Sequence, residues 1–92
     1  MTTLSIVIPA YNEEHGITEI VERVMAVKNS LVAAGVDDLE LLVVNDGSKD
    51  KTEQVLMSLA PQHSGMRVIC HERNKGYGAA LKTGFAQARG DL

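Results

Sequence analysis

The feature that most limits how this chain can fold is a threefold alternation of short apolar runs with segments of helical spacing. Residues 4–8 (Leu4-Ser5-Ile6-Val7-Ile8), 39–44 and 66–70 are brief, rich in β-branched residues and nearly continuous in apolarity. Such runs read as strands buried on both faces, the condition of strands in a parallel sheet. Pro9 is expected to end the first of them. From about Glu14 to Ala34, apolar residues recur at Ile17, Ile20, Val21, Val24, Val27 and Leu31, which places them on one helix face. Gly35 stands where a C-terminal cap belongs. Asp50 followed by Glu53 has the form of a capping box, opening a helix that carries Val55, Leu56 and Leu59 and that Pro61 stops. Asn74-Lys75-Gly76 turns the chain into a last helix with Leu81, Phe85 and Ala88 on one side, closed by Gly90.

The order β-α-β-α-β-α predicts an α/β fold with a parallel sheet and right-handed crossovers. In such sheets ligands bind beyond the carboxyl ends of the strands. That rule selects three loops, residues 9–14, 45–50 and 73–78, before any motif is considered. The chain stops just where a fourth strand is due, so the expectation is one unit cut from a longer protein.

Composition removes several classes. The chain has 92 residues, 45% hydrophobic and 23% charged, which suits one small folded domain rather than a disordered one. A net charge of -3 without a run of Lys or Arg argues against a nucleic-acid footprint and a polybasic membrane patch. The single cysteine, Cys70, excludes an internal disulfide and a cysteine-based zinc site, and reads as an inert buried thiol. No apolar stretch reaches the ~20 residues of a membrane span, and the N-terminus has no signal-peptide pattern. A cytoplasmic protein is the expectation. His15, His63 and His71 are scattered without metal-ligand spacing and read as surface or turn residues.

The three loops carry the chemistry. In Pro9-Ala10-Tyr11-Asn12-Glu13-Glu14, a carboxylate and an amide can accept hydrogen bonds from ribose hydroxyls or a base edge, and a tyrosine can cover a planar ring. The same residues also suit a helix start, with Asn12 as cap and the two glutamates complementing the dipole. In Asn45-Asp46-Gly47-Ser48-Lys49-Asp50, Asp46 follows an apolar strand and would project over the crevice, able to take an N–H of uracil or guanine. Gly47 would permit a tight turn and close approach of a ligand. A plain strand-to-helix turn reads equally well there. In Arg73-Asn74-Lys75-Gly76-Tyr77-Gly78, the glycines and the helix start could offer N–H groups to a phosphate, with Arg73, Lys75 and Lys82 adding positive charge. Gly76-x-Gly78 is not a dinucleotide fingerprint: it follows the third strand, and Leu81 holds the third-glycine position.

Taken together, Ile-Val-Ile-Pro-Ala-Tyr-Asn-Glu-Glu at 6–14, Val-Val-Asn-Asp-Gly-Ser-Lys-Asp at 43–50 and Asn-Lys-Gly-Tyr-Gly-Ala-Ala at 74–80, ending in Ala-Arg-Gly-Asp at 88–91, resemble family 2 glycosyltransferases. The likeness is nearest to the branch with dolichol-phosphate mannosyltransferase and bacterial polyprenyl-phosphate glycosyltransferases. It covers essentially the whole chain, and three motifs in order are far more specific than any one. The resemblance implies a three-layer, Rossmann-like N-terminal half of a GT-A fold. It implies that Pro9, Tyr11 and Glu13 line a nucleoside pocket, with Glu13 near the ribose. Asp46 would hold the base, and Ser48 and Asp50 would shape its loop. Asn74, Lys75 and Gly76 would approach the diphosphate or support its loop, and Asp91 would be structural. The commoner family pattern has Asp where this chain has Asn45.

The same resemblance implies a sugar nucleotide of the UDP or GDP type as donor and a polyprenyl phosphate as acceptor. It also implies Mg²⁺ or Mn²⁺ in the full-length enzyme, held by an Asp-x-Asp motif absent from these residues. The fragment alone is then expected to bind nucleotide weakly and not to catalyse transfer, and the longer parent to work at the cytoplasmic face of a membrane. The missing fourth strand would pair with the first, so a dimer or swapped assembly through that sheet edge is expected. Two rivals stay open at this point: another α/β sugar-nucleotide or nucleotidyl enzyme, and a non-catalytic interaction module, which gives no reason for Glu13, Asp46 and Asn74 to converge.

Overall fold

The structure, a computed structural model, describes residues 3–90. Asp91 lies outside the described residues. The order of elements is β1 (Thr3–Ala10), α1 (Ile17–Ala26), α2 (Lys28–Ala33), β2 (Asp38–Asp46), α3 (Thr52–Leu59), a 3-10 turn (Ala60–Gln62), β3 (Met66–His71) and α4 (Tyr77–Gln87). The three strands form one parallel sheet in the order β1-β2-β3. This is the α/β architecture that the alternation predicts.

Strand periodicity sorts the side chains into two layers of core. Leu41 and Val43 of β2 and Met66 of β3 pack with Ile17 and Val21 of α1 and Leu56 and Leu59 of α3. The alternate residues of β2, among them Val44, face α4, where Gly84 lies against Val7 and Val44. Helices thus cover both faces and make three layers. The central strand is buried from Leu39 to Asp46, as expected for a strand with neighbours on both edges.

Several local expectations change. Pro9 does not end β1 but pairs within it, opposite Val44. Among the described residues β1 pairs only with β2, and an edge strand tolerates a residue without N–H at an outward position. The single helix expected over 14–34 is two: Val27 closes a tighter turn onto Val24 O before the ladder resumes with Leu31 N–H to Val27 O. Ile20 and Val27 of its apolar face are exposed. Gly35 does cap the pair, with φ +102° and Val36 N–H bonded back to Leu31 O. The α-helix α3 does end before Pro61, at Leu59, and the chain continues through one 3-10 turn that contains the proline.

In α4 the face against the sheet is Ala80 and Gly84, not Leu81 and Phe85; Phe85 is 49% exposed. A Cβ on Gly84 would fall 2.2 Å from Val7 Cγ1, so the helix sits close enough that only a glycine fits.

Candidate functional site

Each strand's carboxyl end delivers one of the three polar loops to the same edge of the sheet. The first two are stitched together by side chains. Asn12, at φ +52°, accepts the Lys49 N–H on Oδ1 (2.9 Å), and its own N–H donates to Ser48 Oγ (3.0 Å). Glu13 N–H donates to Thr52 Oγ1 (2.8 Å) and Glu14 N–H to Asp50 Oδ2 (3.3 Å). Asp50 also accepts Thr52 N–H (2.9 Å) on Oδ1, one residue ahead of the helix cap position, so it makes a turn rather than the capping box. Burial pushes the Asp50 carboxyl up, and the bonds from Thr52 and Glu14 outweigh that and hold it below the ordinary range. Glu53 turns instead towards Cys70, whose thiol is raised by burial and then by that carboxylate, and so stays protonated at neutral pH. Asn45, only 3% exposed, accepts Ser48 N–H on Oδ1 and donates from Nδ2 to Cys70 Sγ (3.8 Å), a bond that an aspartate at this position could not donate.

The second and third loops meet through Asp46 and Gly47. Asp46 is 3% exposed and accepts the N–H groups of Lys75 on Oδ1 (3.0 Å) and Gly76 on Oδ2 (2.9 Å). Its Oδ1 also lies 2.7 Å from Nδ1 of His71, its cross-strand partner on β3. Burial pushes the Asp46 carboxyl up, but the bonds from His71, Lys75 and Gly76 prevail and leave it below its ordinary value. Gly47, at φ +68°, faces the backbone of Arg73 and Asn74 so closely that a Cβ there would fall 2.2 Å from the Arg73 carbonyl carbon. At this glycine the third loop makes a close approach on the side where a Cβ would point.

A cavity of about 460 Å³ opens over these ends, lined by Pro9, Ala10, Tyr11, Glu13, Asp46, Asn74, Gly76, Tyr77 and Ala80. Its size and mixed apolar and polar lining suit a small organic ligand. Of the residues selected from sequence, Pro9, Tyr11, Glu13, Asp46, Asn74 and Gly76 come together here, including the three whose convergence the interaction-module reading does not explain. Ser48 and Asp50 do not line it; they tie the first loop to the second. Lys75 instead lines a neighbouring depression with Cys70, His71, Glu72 and Arg73, so its contribution to the cavity is through its backbone bond to Asp46. A further hollow between α1 and α3, with Thr18, Glu22 and Gln54 on its walls, holds none of the selected residues.

Two residues escaped the sequence reading. Tyr77, 71% exposed at the start of α4, adds a second aromatic side chain to the cavity lining beside Tyr11. Its place beside Gly76 was the only available signal. His71 is not a surface residue: its side chain is 7% exposed and is bonded at both ring nitrogens, to Asp46 and to Thr83 Oγ1 (2.8 Å). Among the described residues no three His, Cys, Asp or Glu side chains converge to hold a metal ion.

An open parallel α/β sheet covered by helices on both faces, with a cavity over its strand ends, defines a three-layer α/β protein whose crevice stands where such sheets bind ligands. The chain matches the model of glycosyl transferase family 2 over residues 5–92, and it belongs to that family, an enzyme family of GT-A fold class. It is 40% identical over 91 residues to undecaprenyl-phosphate 4-deoxy-4-formamido-L-arabinose transferase of Pseudomonas paraeruginosa, covering 97% of this chain and 25% of that protein. It is 36% identical over 87 residues to a dolichyl-phosphate beta-glucosyltransferase of Trichomonas vaginalis, covering 94% and 26%. In structure it is similar to S. aureus TarS 1–349, with a TM-score of 0.73 and 26% identity over 98% of this chain and 25% of that one. The chain thus spans about a quarter of the length of the curated relatives it matches.

Proposed function

We propose that this chain is the nucleotide-sugar-binding part of a glycosyltransferase that moves a sugar from a UDP- or GDP-sugar to a polyprenyl phosphate. The observation that carries the reading is the convergence of Pro9, Tyr11, Glu13, Asp46, Asn74 and Gly76 on one cavity at the sheet's carboxyl edge. The names of the relatives, transferases acting on undecaprenyl and dolichyl phosphates, support the acceptor class.

On this reading Pro9 and Tyr11 cover the nucleoside and Glu13 accepts from the ribose hydroxyls. Asp46 Oδ2 accepts one N–H from the protein and keeps capacity for a second, which fits an N–H of the base. Asn74 and the backbone at Gly76 stand at the diphosphate, where the first turn of α4 presents its N–H groups. In the full-length enzyme a divalent cation, Mg²⁺ or Mn²⁺, would be held by carboxylates that these 92 residues do not supply. When bound it would neutralise the leaving diphosphate. These residues bind and orient the donor, so the chain alone is expected to be inactive in transfer. The longer protein would work at the cytoplasmic face of a membrane, where a polyprenyl phosphate is held; among the described residues no helix is long and apolar enough to cross one.

Calorimetry of the 92-residue chain with UDP and with GDP tests the reading. Weak, saturable binding of one of them, reduced by Tyr11→Ala, is expected. No heat from either at millimolar nucleotide would overturn it.

A further inference from the structure

A chain of side-chain bonds runs from the sheet into α4 through a residue with no part in the reading above. His71 Nδ1 lies 2.7 Å from Asp46 Oδ1, and His71 Nε2 lies 2.8 Å from Thr83 Oγ1. The side chains of His71 and Asp46 are 7% and 4% exposed, so water does not substitute freely for either partner. An ionised carboxylate only accepts, so Nδ1 must carry a proton. In the neutral ring Nε2 is then the acceptor, and the Thr83 hydroxyl must donate to it. Asp46 Oδ1 is thereby shared between the imidazole and the Lys75 N–H, while Oδ2 takes the Gly76 N–H. A carboxylate held only by two loop N–H groups could rotate with the loop; a third bond from β3 fixes its plane to the sheet.

We propose that His71 is a positioning residue of the site: as the Nδ1–H tautomer, braced by Thr83, it orients Asp46 so that the carboxylate holds Lys75 and Gly76, and with them the cavity wall, in place. A bond made behind a functional group in this way commonly governs that group's geometry. The proposal rests on the nucleotide reading only for its affinity readout; the tautomer and the loop geometry are measurable without any ligand.

The test uses the ¹⁵N-labelled 92-residue chain. Long-range ¹H–¹⁵N spectra should give the Nδ1–H tautomer for His71, and an Nε2–H tautomer overturns the proposal. His71→Asn places an amide N–H near Nδ1 and keeps the donor to Asp46, whereas His71→Gln reaches towards Thr83 and loses it. His71→Asn should therefore leave the Lys75 and Gly76 amide proton shifts at their parent positions and keep the UDP or GDP affinity within about twofold of the parent chain. His71→Gln should move both amide shifts upfield and weaken binding about tenfold, the equivalent of one charge-assisted hydrogen bond. Equal effects of the two substitutions, as expected of a mere packing residue, would count against it. Should neither variant fold, the tautomer in the parent chain and the Gly76 amide shift in Thr83→Val decide the matter. Should the parent chain bind neither nucleotide, the functional reading fails while the amide shifts still judge His71.

Discussion

Gly47→Ala should be the most damaging single methyl group that can be added to this chain's loops. Two terms set its size. At φ +68° a non-glycine residue enters the left-handed region, which costs about 1–2 kcal/mol. The added Cβ would also lie 2.2 Å from the Arg73 carbonyl carbon, 2.3 Å from Asn74 N and 2.6 Å from Arg73 Cα. These are backbone atoms, so no rotamer change relieves the overlap. The third loop would have to retreat by more than an ångström, against the two N–H bonds that Asp46 makes to Lys75 and Gly76. Overpacking of this kind costs about 1–3 kcal/mol, giving a total of about 2–5 kcal/mol. For a domain of this size each kcal/mol lowers the melting temperature by about 4–8 °C. Gly35→Ala supplies the control: its φ is +102° but nothing lies within 4 Å of a Cβ there, so only the strain term applies. Thermal denaturation of the two variants should separate them by about 1–3 kcal/mol, with nucleotide binding lost in Gly47→Ala alone. Equal melting temperatures for the two would refute the argument that the second and third loops lock at this glycine.

The two glycines inside α4 should respond with opposite signs in urea denaturation. Gly78→Ala, with nothing within 4 Å of its Cβ, should stabilise by about 0.5–1 kcal/mol, and Gly84→Ala, which meets Val7 Cγ1, should destabilise by about 1–3 kcal/mol; a shared sign would show that α4 does not pack as described. Tyr77→Ala should weaken UDP or GDP binding about tenfold in calorimetry, while Phe85→Ala, half exposed on the same helix but away from the cavity, should leave it unchanged; an unaltered Tyr77→Ala would remove that ring from the ligand's surroundings. Light scattering should find concentration-dependent dimers formed through the side of β1 that pairs with no strand among the described residues, and a monomer at millimolar concentration would count against pairing at that edge.

What could be read from sequence, and what could not, follows from the range of each interaction. The strands were legible because continuous β-branched runs have few other uses, and the loops because a parallel sheet sends its polar turns to one edge. The inner face of α4 was not, because Ala80 and Gly84 carry almost no apolar signal, while Phe85 carries much and points outward. Close packing of helix on sheet selects for absence of side chain, which periodicity does not register. Whether Pro9 ends β1 depends on whether β1 is an edge strand, a property of the sheet that a local sequence window does not contain. The position of Asp46 at the end of an apolar strand puts it among the residues lining the cavity, yet its partners His71, Lys75 and Gly76 lie 25 to 30 residues away, and the turn alone says nothing of them.

Those long-range bonds make one more prediction, because β2 pins α4 at both ends with buried carboxylates on the same face of the sheet. Asp46 holds the loop entering the helix. At the other end Glu40, 7% exposed, accepts Ser5 Oγ–H (2.7 Å), the Arg67 guanidinium (2.7 Å) and the Arg89 N–H (2.9 Å). Arg67 in turn donates to Gln87 O (3.0 Å). Burial pushes the Glu40 carboxyl up, and the bonds from Arg89, Ser5 and Arg67 outweigh it, so both anchors sit below their ordinary values. A depressed folded pKa means that folding favours the ionised form. The stabilisation is therefore complete above the unfolded carboxylate range, about 4, and disappears as pH falls through the lower folded values. The apolar contacts of α1 and α3 with the other face carry no such dependence; the depressed Asp50 carboxylate on that side ties only the loops that enter these helices and is not buried beneath them. Acidification from pH 7 to about 3 should thus loosen α4 first, with the amide signals of Ala80 and Gly84 losing protection before those of Leu41 and Val43. In the double substitution Glu40→Gln, Asp46→Asn the protein should start less stable and its melting temperature should fall less steeply with pH. An unchanged slope in that variant, or simultaneous loss of protection on both faces, would mean that α4 is held by packing alone.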